Sequence, residues 1–281
     1  MKRIVILIVL VIVAGIAGVV VRSASDGTVS QLRGLVSPVY AGDVRQEIRQ
    51  NYQLSPGARV ELTGLNGAVK IETSDAKTAE VYIERSAASQ EALDRRKVTV
   101  EADANSLRIR GETQNGFWCR LFGGSSAAER VTLKLPRQIS LYTKGVNGSF
   151  VTSEIEGAVE VTGVNGRVQI ASALGRAAFK GINGNMFVGL KHIDQDGIDL
   201  SGVNGNIEFQ LGEDVNADLD ARGMNGRIIS DLPNVSIDRS KRGSYWARIG
   251  NGGIGITAKG INGNIRLTRS TPAATAETAT N

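Results

Sequence analysis

The sequence predicts an all-β fold, a β-solenoid in which short strands stack rung on rung. A Gly-apolar-Asn-Gly motif occurs seven times, as in TGVNGRVQI at 162–170, and apolar and polar residues alternate on both sides of it. Such alternation is typical of strands with one buried face. From Gly145 to Gly223 neighbouring copies lie 18 or 21 residues apart, a period that indicates a stacked repeat. The first glycines of the seven copies are Gly64, Gly145, Gly163, Gly181, Gly202, Gly223 and Gly260.

Each copy keeps a common register of apolar side chains. An apolar residue stands four positions before the first glycine, another follows that glycine, and a third stands two positions past the second glycine. In one copy these residues are Val159, Val164 and Val168, and the other six copies have apolar residues at the same three positions. The repeating unit is therefore predicted to be a strand, a corner and a second strand, with these three side chains in the core.

The motif itself has two interpretations. Asn-Gly between alternating segments is a strong hairpin signal, and a series of such hairpins would form an antiparallel meander. A two-residue hairpin would oppose Val164 to Arg167 and Ile182 to Asn185 on one face, however, and the same mismatch recurs in later copies. In a solenoid the motif is instead a corner, where glycine adopts backbone conformations closed to other residues. The solenoid is favoured, and the antiparallel β-hairpin meander is the alternative.

A solenoid would place the motif asparagines directly above one another. Their amides would bond neighbouring backbone and side chains, and so satisfy polar groups at corners that have no sheet partner. We therefore predict a structural corner ladder of seven residues: Asn66, Asn147, Asn165, Asn183, Asn204, Asn225 and Asn262.

The remaining segments complete the domain plan. Alternation predicts further strands at 58–65, 79–85, 97–103, 106–112 and 129–136, whereas SQEALDRR at 89–96 has helical character. We assign the β-solenoid domain to 43–268, with a looser first part at 43–137 and regular repeats at 138–268. The Thr- and Ala-rich tail at 269–281 has too little apolar surface to fold.

The N-terminus predicts export. Lys2 and Arg3 precede an uncharged run from Ile4 to Val21, and an 18-residue helix is just long enough to cross a bilayer. Positive charge before the span favours a cytoplasmic N-terminus with the remaining chain outside the cytoplasm. Residues 1–21 are thus a signal anchor or, because small residues stand at 23–25, a cleaved signal peptide. Residues 22–42 would be a linker.

Composition argues against an enzyme. The chain of 281 residues has one histidine, His192, and one cysteine, Cys119, which leaves no His-based catalytic cluster and no intrachain disulfide. Motifs such as GxSxG, HExxH, CxxC and the P-loop do not occur. The two aspartates of KHIDQDG (191–197) lack the other ligands of a calcium loop, so we expect a polar turn. No catalytic, cofactor-binding or metal-binding residue is predicted, and no cofactor.

Two surfaces are candidates for contact with partners. NGFWCRLFGGSS (115–126) is favoured as a loop that caps one end or edge of the solenoid, and the insertion at 238–250 as a long loop between coils. The alternative is a partner-contact loop, through Phe117, Trp118, Phe122, Tyr245 and Trp246. A basic row before the motif, with Lys144 and Lys180 among its members, would bind a polyanion or, as we favour, pair with a neighbouring acidic row that includes Glu160 and Asp220. Candidate partners are the membrane, through the N-terminal helix, and an anionic glycan, a lipid headgroup or an envelope protein. Nucleic acid is not expected.

The repeated GxNG copies, the lead-in VTLKLPRQISL (131–141) and ARIGNGGIGITAKGINGNIRL (247–267) resemble the bacterial putative-adhesin β-strand-repeat family, a domain of unknown function. The resemblance covers 43–268. It implies an exported domain with right-handed parallel β-helical repeats, and it provides no catalytic motif.

The resulting hypothesis is a non-catalytic cell-envelope protein, membrane-anchored or secreted, that acts as a structural or binding surface. Two alternatives stay open. One is a polysaccharide-active β-helix enzyme, which would need converging carboxylates, and the other is an accessory or sensor protein in envelope stress.

Overall fold

The computed structural model describes residues 44–113 and 127–270, which belong to one compact unit. The predicted N-terminal span, the linker, the aromatic residues Phe117, Trp118 and Phe122, and almost all of the C-terminal tail lie outside the described residues. Within 44–113 and 127–270 no helix is long and apolar enough to cross a membrane.

The described chain is almost entirely β-structure. In the first half the elements are β1 (Val44–Gln53), β2 (Ala58–Thr63), β3 (Gly67–Ser74), β4 (Thr78–Ala87), α1 (Gln90–Arg95), β5 (Arg96–Asp103), β6 (Ser106–Thr113), β7 (Ala128–Pro136), β8 (Ile139–Asn147), β9 (Phe150–Ile155) and β10 (Val159–Asn165). In the second half they are β11 (Val168–Ala173), β12 (Ala177–Asn183), β13 (Met186–Leu190), β14 (Ile198–Asn204), β15 (Ile207–Leu211), β16 (Ala217–Arg222), β17 (Ile228–Ser230), β18 (Val235–Lys241), β19 (Ser244–Ile249), β20 (Ile254–Asn262) and β21 (Ile265–Arg269). The strands predicted between 58 and 136 and the short helix are confirmed. Ser89 caps α1 by accepting a hydrogen bond from the Ala92 N–H, as N-cap serines do.

The strands form two large mixed sheets. Sheet A has ten strands in the order β1-β4-β7-β3-β9-β11-β13-β15-β21-β17. Sheet B has eleven strands in the order β18-β19-β16-β20-β14-β12-β10-β8-β2-β6-β5. Each motif copy joins a strand of sheet B to a strand of sheet A, and we call such a pair of strands a rung. The seven rungs are β2–β3, β8–β9, β10–β11, β12–β13, β14–β15, β16–β17 and β20–β21.

Neighbouring rungs pair in parallel and in register. In sheet B, Val159 of β10 lies opposite Leu141 of β8 on one side and Ala177 of β12 on the other. In sheet A, Val168 of β11 lies between Phe150 and Met186. The two strands around each corner are in different sheets, so the hairpin meander does not describe the repeats. The physical reason is the polarity pattern, because hairpin pairing would place apolar residues opposite polar ones.

The core consists of the three apolar rows that the repeat predicts. The residues of the copy at Gly163 are at most 1% exposed: Val159, Val164 and Val168. Across all seven copies the largest exposure in these rows is 7%, at Ile228. Burial of like residues above like in every rung gives one continuous core, and the hydrophobic effect of that area stabilises the stack.

The order of rungs along the stack differs from their order along the chain. The last rung, β20–β21, pairs with β14–β15 on one side and with β16–β17 on the other. At the opposite end, β2–β3 lies between β8–β9 and the strands β6 and β7. At both ends of the stack, therefore, spatial neighbours are not neighbours along the chain.

Antiparallel strands complete both ends, which makes the sheets mixed. At one end of sheet A, β4 pairs antiparallel with β7 and with β1, and in sheet B β5 pairs antiparallel with β6. At the other end of sheet B, β19 pairs antiparallel with β16 and β18 pairs with β19. The prediction that the insertion at 238–250 is a loop is therefore wrong in part. Its alternating residues extend the sheet as a β-hairpin.

A buried ion pair lies beside the first corner. Arg96 Nε donates to Glu129 Oε1 at 2.6 Å, and Glu129 Oε2 also accepts the Asn66 backbone N–H at 2.9 Å. The neighbouring guanidinium of Arg85 donates to the carbonyl oxygens of Leu93 and Arg96 and to the side chain of Gln46. Burial lowers the pKa of Arg85, and the carboxylate of Glu129 opposes that shift. Removal of water makes each of these contacts costly to break.

Candidate functional site

The seven motif asparagines form one row of side-chain hydrogen bonds along the corners. In each bond Nδ2 of one asparagine donates to Oδ1 of the next, at 2.9 to 3.1 Å. The row begins at Asn66, whose Nδ2 donates to the Ala127 carbonyl oxygen at 2.9 Å. In stack order its members are Asn66, Asn147, Asn165, Asn183, Asn204, Asn262 and Asn225. These amides use one another as partners, which suits a structural role rather than ligand contact.

The two glycines of the motif have different constraints. Gly163 has φ of +67°, the left-handed region, but a Cβ there would meet its nearest atom at an ordinary 3.6 Å. Gly166 has φ of +154°, and a Cβ there would overlap the carbonyl oxygen of Gly148 in the next rung. The first glycine is thus required by conformation, and the second by the close approach of two backbones as well.

The charged rows on the outer face of sheet B pair off. Lys180 lies 3.5 Å from Glu160 and Arg222 lies 2.6 Å from Asp220. Asp199 pairs with Arg176 at 3.7 Å, a partner outside the predicted basic row. Among residues 44–113 and 127–270, Lys144 and Lys259 have no carboxylate within ion-pair distance. The carboxylates therefore do not converge on a common point in this face.

The two described residues of the predicted partner-contact loop lie in β19. Tyr245 packs against the core and its hydroxyl donates to the Gly226 carbonyl oxygen at 3.0 Å. Trp246 lies under the guanidinium of Arg248, 4.8 Å from ring centroid to Cζ. Both rings are partly buried by this end of sheet B, so they do not form a projecting aromatic patch.

A concave surface lies instead on the outer face of sheet A. This groove has a volume of about 510 Å³ and runs across β11, β13, β15, β21 and β17. Ligand sites in proteins are commonly clefts of this size. The side chains that face it come from two rows, one directly before and one directly after the inward residues: Arg167, Asn185, Asn206 and Asn264 in the first, and Gln169, Phe187, Glu208, Arg266 and Ile229 in the second.

The first row presents hydrogen-bond donors. The Asn185 Oδ1 accepts the backbone N–H of Asn206 at 3.1 Å, and the Asn206 Oδ1 accepts that of Asn264 at 3.0 Å. The Asn264 Oδ1 accepts the backbone N–H of Arg227 at 3.1 Å. Because each oxygen is held by the backbone, each Nδ2 has a fixed orientation. Within the described parts of the chain no acceptor lies within bonding distance of these three Nδ2 atoms.

Arginines extend this first row at both ends. Backbone hydrogen bonds place Arg167, Asn185, Asn206, Asn264 and Arg227 in consecutive rungs. We call these five residues the donor row. At about 4.8 Å per rung the donor row spans roughly 19 Å. Neither Arg167 nor Arg227 has a carboxylate within ion-pair distance among residues 44–113 and 127–270.

The second row supplies acceptors and an aromatic ring. The partly buried Phe187 lies between Gln169 and Glu208 across the sheet. The Glu208 carboxylate accepts a hydrogen bond from the Thr268 hydroxyl at 3.3 Å. Arg266 is paired with Asp231 at 3.0 Å. Glu208 is the one carboxylate that lines the described groove.

Sequence reasoning missed the donor row, although its signal is present. The residue after the second glycine is asparagine at 185, 206 and 264 and arginine at 167 and 227. These positions served only to argue against hairpins. Their common register along the stack, together with the mismatch in polarity, would have identified an outward polar row.

Comparisons with known proteins found solved structures of low sequence identity and low TM-score. No protein-family model and no curated protein matches the chain. A solved structure from Clostridium sporogenes, described as a "putative cell adhesion protein", has a TM-score of 0.37 and 11% identity over 80% of this chain and 100% of that one. A "putative adhesin" from Parabacteroides merdae has a TM-score of 0.29 and 9% identity, over 80% and 97%. A "putative lipid binding protein" from Parabacteroides distasonis has a TM-score of 0.27 and 14% identity, over 80% and 97%.

Proposed function

We propose that this chain is a non-catalytic binding protein of the cell envelope, and that it binds its ligand in the groove on sheet A. The observation that supports this most directly is the row of asparagine amide donors that have no acceptor among the described residues and face an open concave surface. Exposed polar groups that are held in fixed orientation, next to an aromatic ring, are typical of recognition sites.

The arrangement of carboxylates argues for binding rather than catalysis. Hydrolysis of a glycosidic bond generally needs two carboxyl groups on opposite sides of the bond. Glu208 supplies the one carboxylate in the lining of the described groove, and the carboxylates of sheet B such as Glu160 and Asp220 pair with neighbouring basic residues. A polysaccharide-active enzyme is therefore the weaker alternative.

We further propose that the stack is a right-handed parallel β-helix in its central rungs. The parallel register of β8, β10, β12 and β14, with an intervening strand in sheet A each time, supports this assignment. Connections between parallel strands of one sheet are right-handed in about 98% of cases.

The proposed location outside the cytoplasm rests on the sequence. Lys2 and Arg3 before the apolar run from Ile4 to Val21 favour export of everything that follows. We propose that the chain is either held in the membrane by this run or released by its cleavage.

Two measurements on the full-length chain test the proposal. Protease treatment of intact spheroplasts should degrade a C-terminally tagged chain while leaving a cytoplasmic marker intact; protection of the tag would contradict the location. The purified chain should bind envelope-type glycans on an array without releasing new reducing ends or unsaturated sugars. Release of either product that depends on Glu208 would overturn the non-catalytic assignment.

A further inference from the structure

We propose that the groove binds a linear acidic polysaccharide, with its carboxylate groups along the donor row and its sugar rings over Phe187. This inference rests on the proposed binding function and names the class of ligand. It concerns sheet A, whereas the basic row with Lys144 and Lys180 lies on sheet B.

The donor row selects for a ligand rich in acceptors. All five members of the donor row offer N–H groups to a ligand. The oxygen that each of the three asparagines could have offered already accepts a hydrogen bond from the backbone. A guanidinium at each end favours carboxylate, to which arginine bonds in a two-pronged geometry. A ligand with negative charges at intervals along its length fits this arrangement.

The second row selects for a sugar. The Phe187 ring offers an apolar surface to the face of a sugar ring. The Glu208 carboxylate and the Gln169 side chain accept hydrogen bonds from hydroxyl groups. Hydroxyl donors and carboxylate acceptors in one molecule describe an acidic sugar.

The dimensions of the site favour a chain over a single sugar. The donor row repeats once per rung, at about 4.8 Å, and continues over roughly 19 Å. This length exceeds that of one sugar ring, so several consecutive residues of a polysaccharide would contact it at once.

A lipid surface is a poorer fit to the same groups. Proteins that insert into a membrane surface present projecting apolar side chains. Among residues 44–113 and 127–270 the one large apolar side chain that is strongly exposed is Ile237, at 38%, and it belongs to β18 of sheet B. Phe187 lies within the concave groove.

Substitution of asparagine by aspartate provides a sharp test. In Asn185→Asp and Asn206→Asp the Oδ1 acceptor for the backbone N–H is retained, while the outward donor becomes a negatively charged acceptor. We expect each change to weaken binding of oligogalacturonate about tenfold or more, because a charge-assisted hydrogen bond is replaced by repulsion. The double variant Arg167→Gln/Arg227→Gln should weaken it to a similar extent.

The matched control is the double variant Lys144→Gln/Lys259→Gln. Like the arginine double variant, it removes two positive charges, but it removes them from exposed residues of sheet B that have no ion-pair partner in the described chain. We expect its affinity for oligogalacturonate to equal that of the wild type. Thermal unfolding of every variant would show that the fold is retained.

The probes are oligogalacturonates of increasing length, neutral cello-oligosaccharides of matched length, and glycerophosphoglycerol, the water-soluble headgroup of phosphatidylglycerol, each titrated against the full-length chain in detergent. Support requires groove-dependent binding of the acidic oligomers, tighter for long oligomers than for the monomer and weaker at high salt. Groove-dependent binding of the neutral oligomers with equal affinity would overturn the acidic class while leaving the proposed function in place. Binding of glycerophosphoglycerol alone, unaffected by the groove variants, would overturn both.

Discussion

The side-chain amide of Asn262 donates a hydrogen bond to Oδ1 of Asn204 at 2.9 Å, although 58 residues separate the two in the chain. On its other side, Asn262 accepts a hydrogen bond from Asn225 at 3.1 Å. The corner ladder is thus continuous through the place where the last rung enters the stack. Its members depend on three-dimensional neighbours rather than on the preceding copy.

Loss of one ladder member should destabilise the fold measurably. Asn165 donates to Asn147 and accepts from Asn183, each at 3.1 Å. Asn165→Ala removes both bonds, and we expect a loss of about 1–2 kcal/mol in the free energy of unfolding, since these side chains are exposed and water replaces part of the bonding. Asn165→Asp should cost more, because its carboxylate faces the Oδ1 of Asn147. Urea unfolding followed by circular dichroism measures both.

The control for the ladder is Asn51→Ala in β1, an exposed asparagine outside the row. We expect its unfolding midpoint to match the wild type within error. A midpoint of Asn165→Ala equal to that of this control would show that the ladder contributes nothing to stability.

The two motif glycines should respond differently to alanine. Gly163→Ala places a residue with a Cβ in the left-handed backbone conformation without a steric clash, and we expect it to lower the free energy of unfolding by about 1–2 kcal/mol. Gly166→Ala also drives a Cβ into the Gly148 carbonyl oxygen, and we expect about 1–3 kcal/mol beyond the first variant. Gly255→Ala is the matched control, because a Cβ there meets nothing within 4 Å. Equal losses at 163 and 166 would contradict the close approach of the backbones.

Breaking the buried ion pair should be costly. Glu129 and Arg96 have side-chain exposures of 1% and 10%, so Glu129→Gln or Arg96→Met removes one charge of a buried ion pair and keeps the other. We expect each single change to cost about 3–5 kcal/mol. The double variant Glu129→Gln/Arg96→Met should cost less than the sum of the two, which chemical unfolding of the four proteins measures. Strict additivity would refute coupling between the two side chains.

Asp218 should contribute to the dependence of stability on pH. The Gly253 backbone N–H, followed by Arg248, holds the pKa of Asp218 below its ordinary value of 3.8. A carboxyl group with a lowered pKa in the folded state stabilises the fold above the unfolded pKa, and this contribution is lost as pH falls through the folded pKa. Wild type should therefore be more stable than Asp218→Asn at pH 6, and the difference should disappear in strong acid. Asp238→Asn, an exposed change in β18, serves as the control; a constant difference for Asp218→Asn at all pH values would contradict the prediction.

The central part of the fold is readable from sequence because each rung repeats the same local rule. The positions of Val159, Val164 and Val168 are apolar in every copy, and all three rows are buried. The helical character of SQEALDRR at 89–96 likewise predicts α1, which begins after Ser89. These features depend on residues close in sequence or on strict repetition, so the pattern alone contains them.

The ends of the stack and the groove are not readable in the same way. The local sequence of the motif copy at Gly260 does not show where its rung lies. The rung lies beside that of Asn204, whereas simple chain order would place it after that of Asn225. The groove depends on which outward residues become neighbours, and Asn264 joins Asn206 only because the last rung is inserted. Long-range order of the rungs therefore decides the candidate site.

The placement of β20–β21 has a consequence for biosynthesis. The strands β16 and β17 leave the ribosome first, yet the surface that receives them belongs to residues 254–269, which emerge later. Residues 217–222 can pair with β19 beforehand, but their parallel edge and β17 have no sheet partner until residues 254–269 have been made. A nascent chain halted before Ile254 would expose the open edge of β16 and the whole of β17 to proteases and to other chains, so this end of the domain depends on synthesis of β20 and β21.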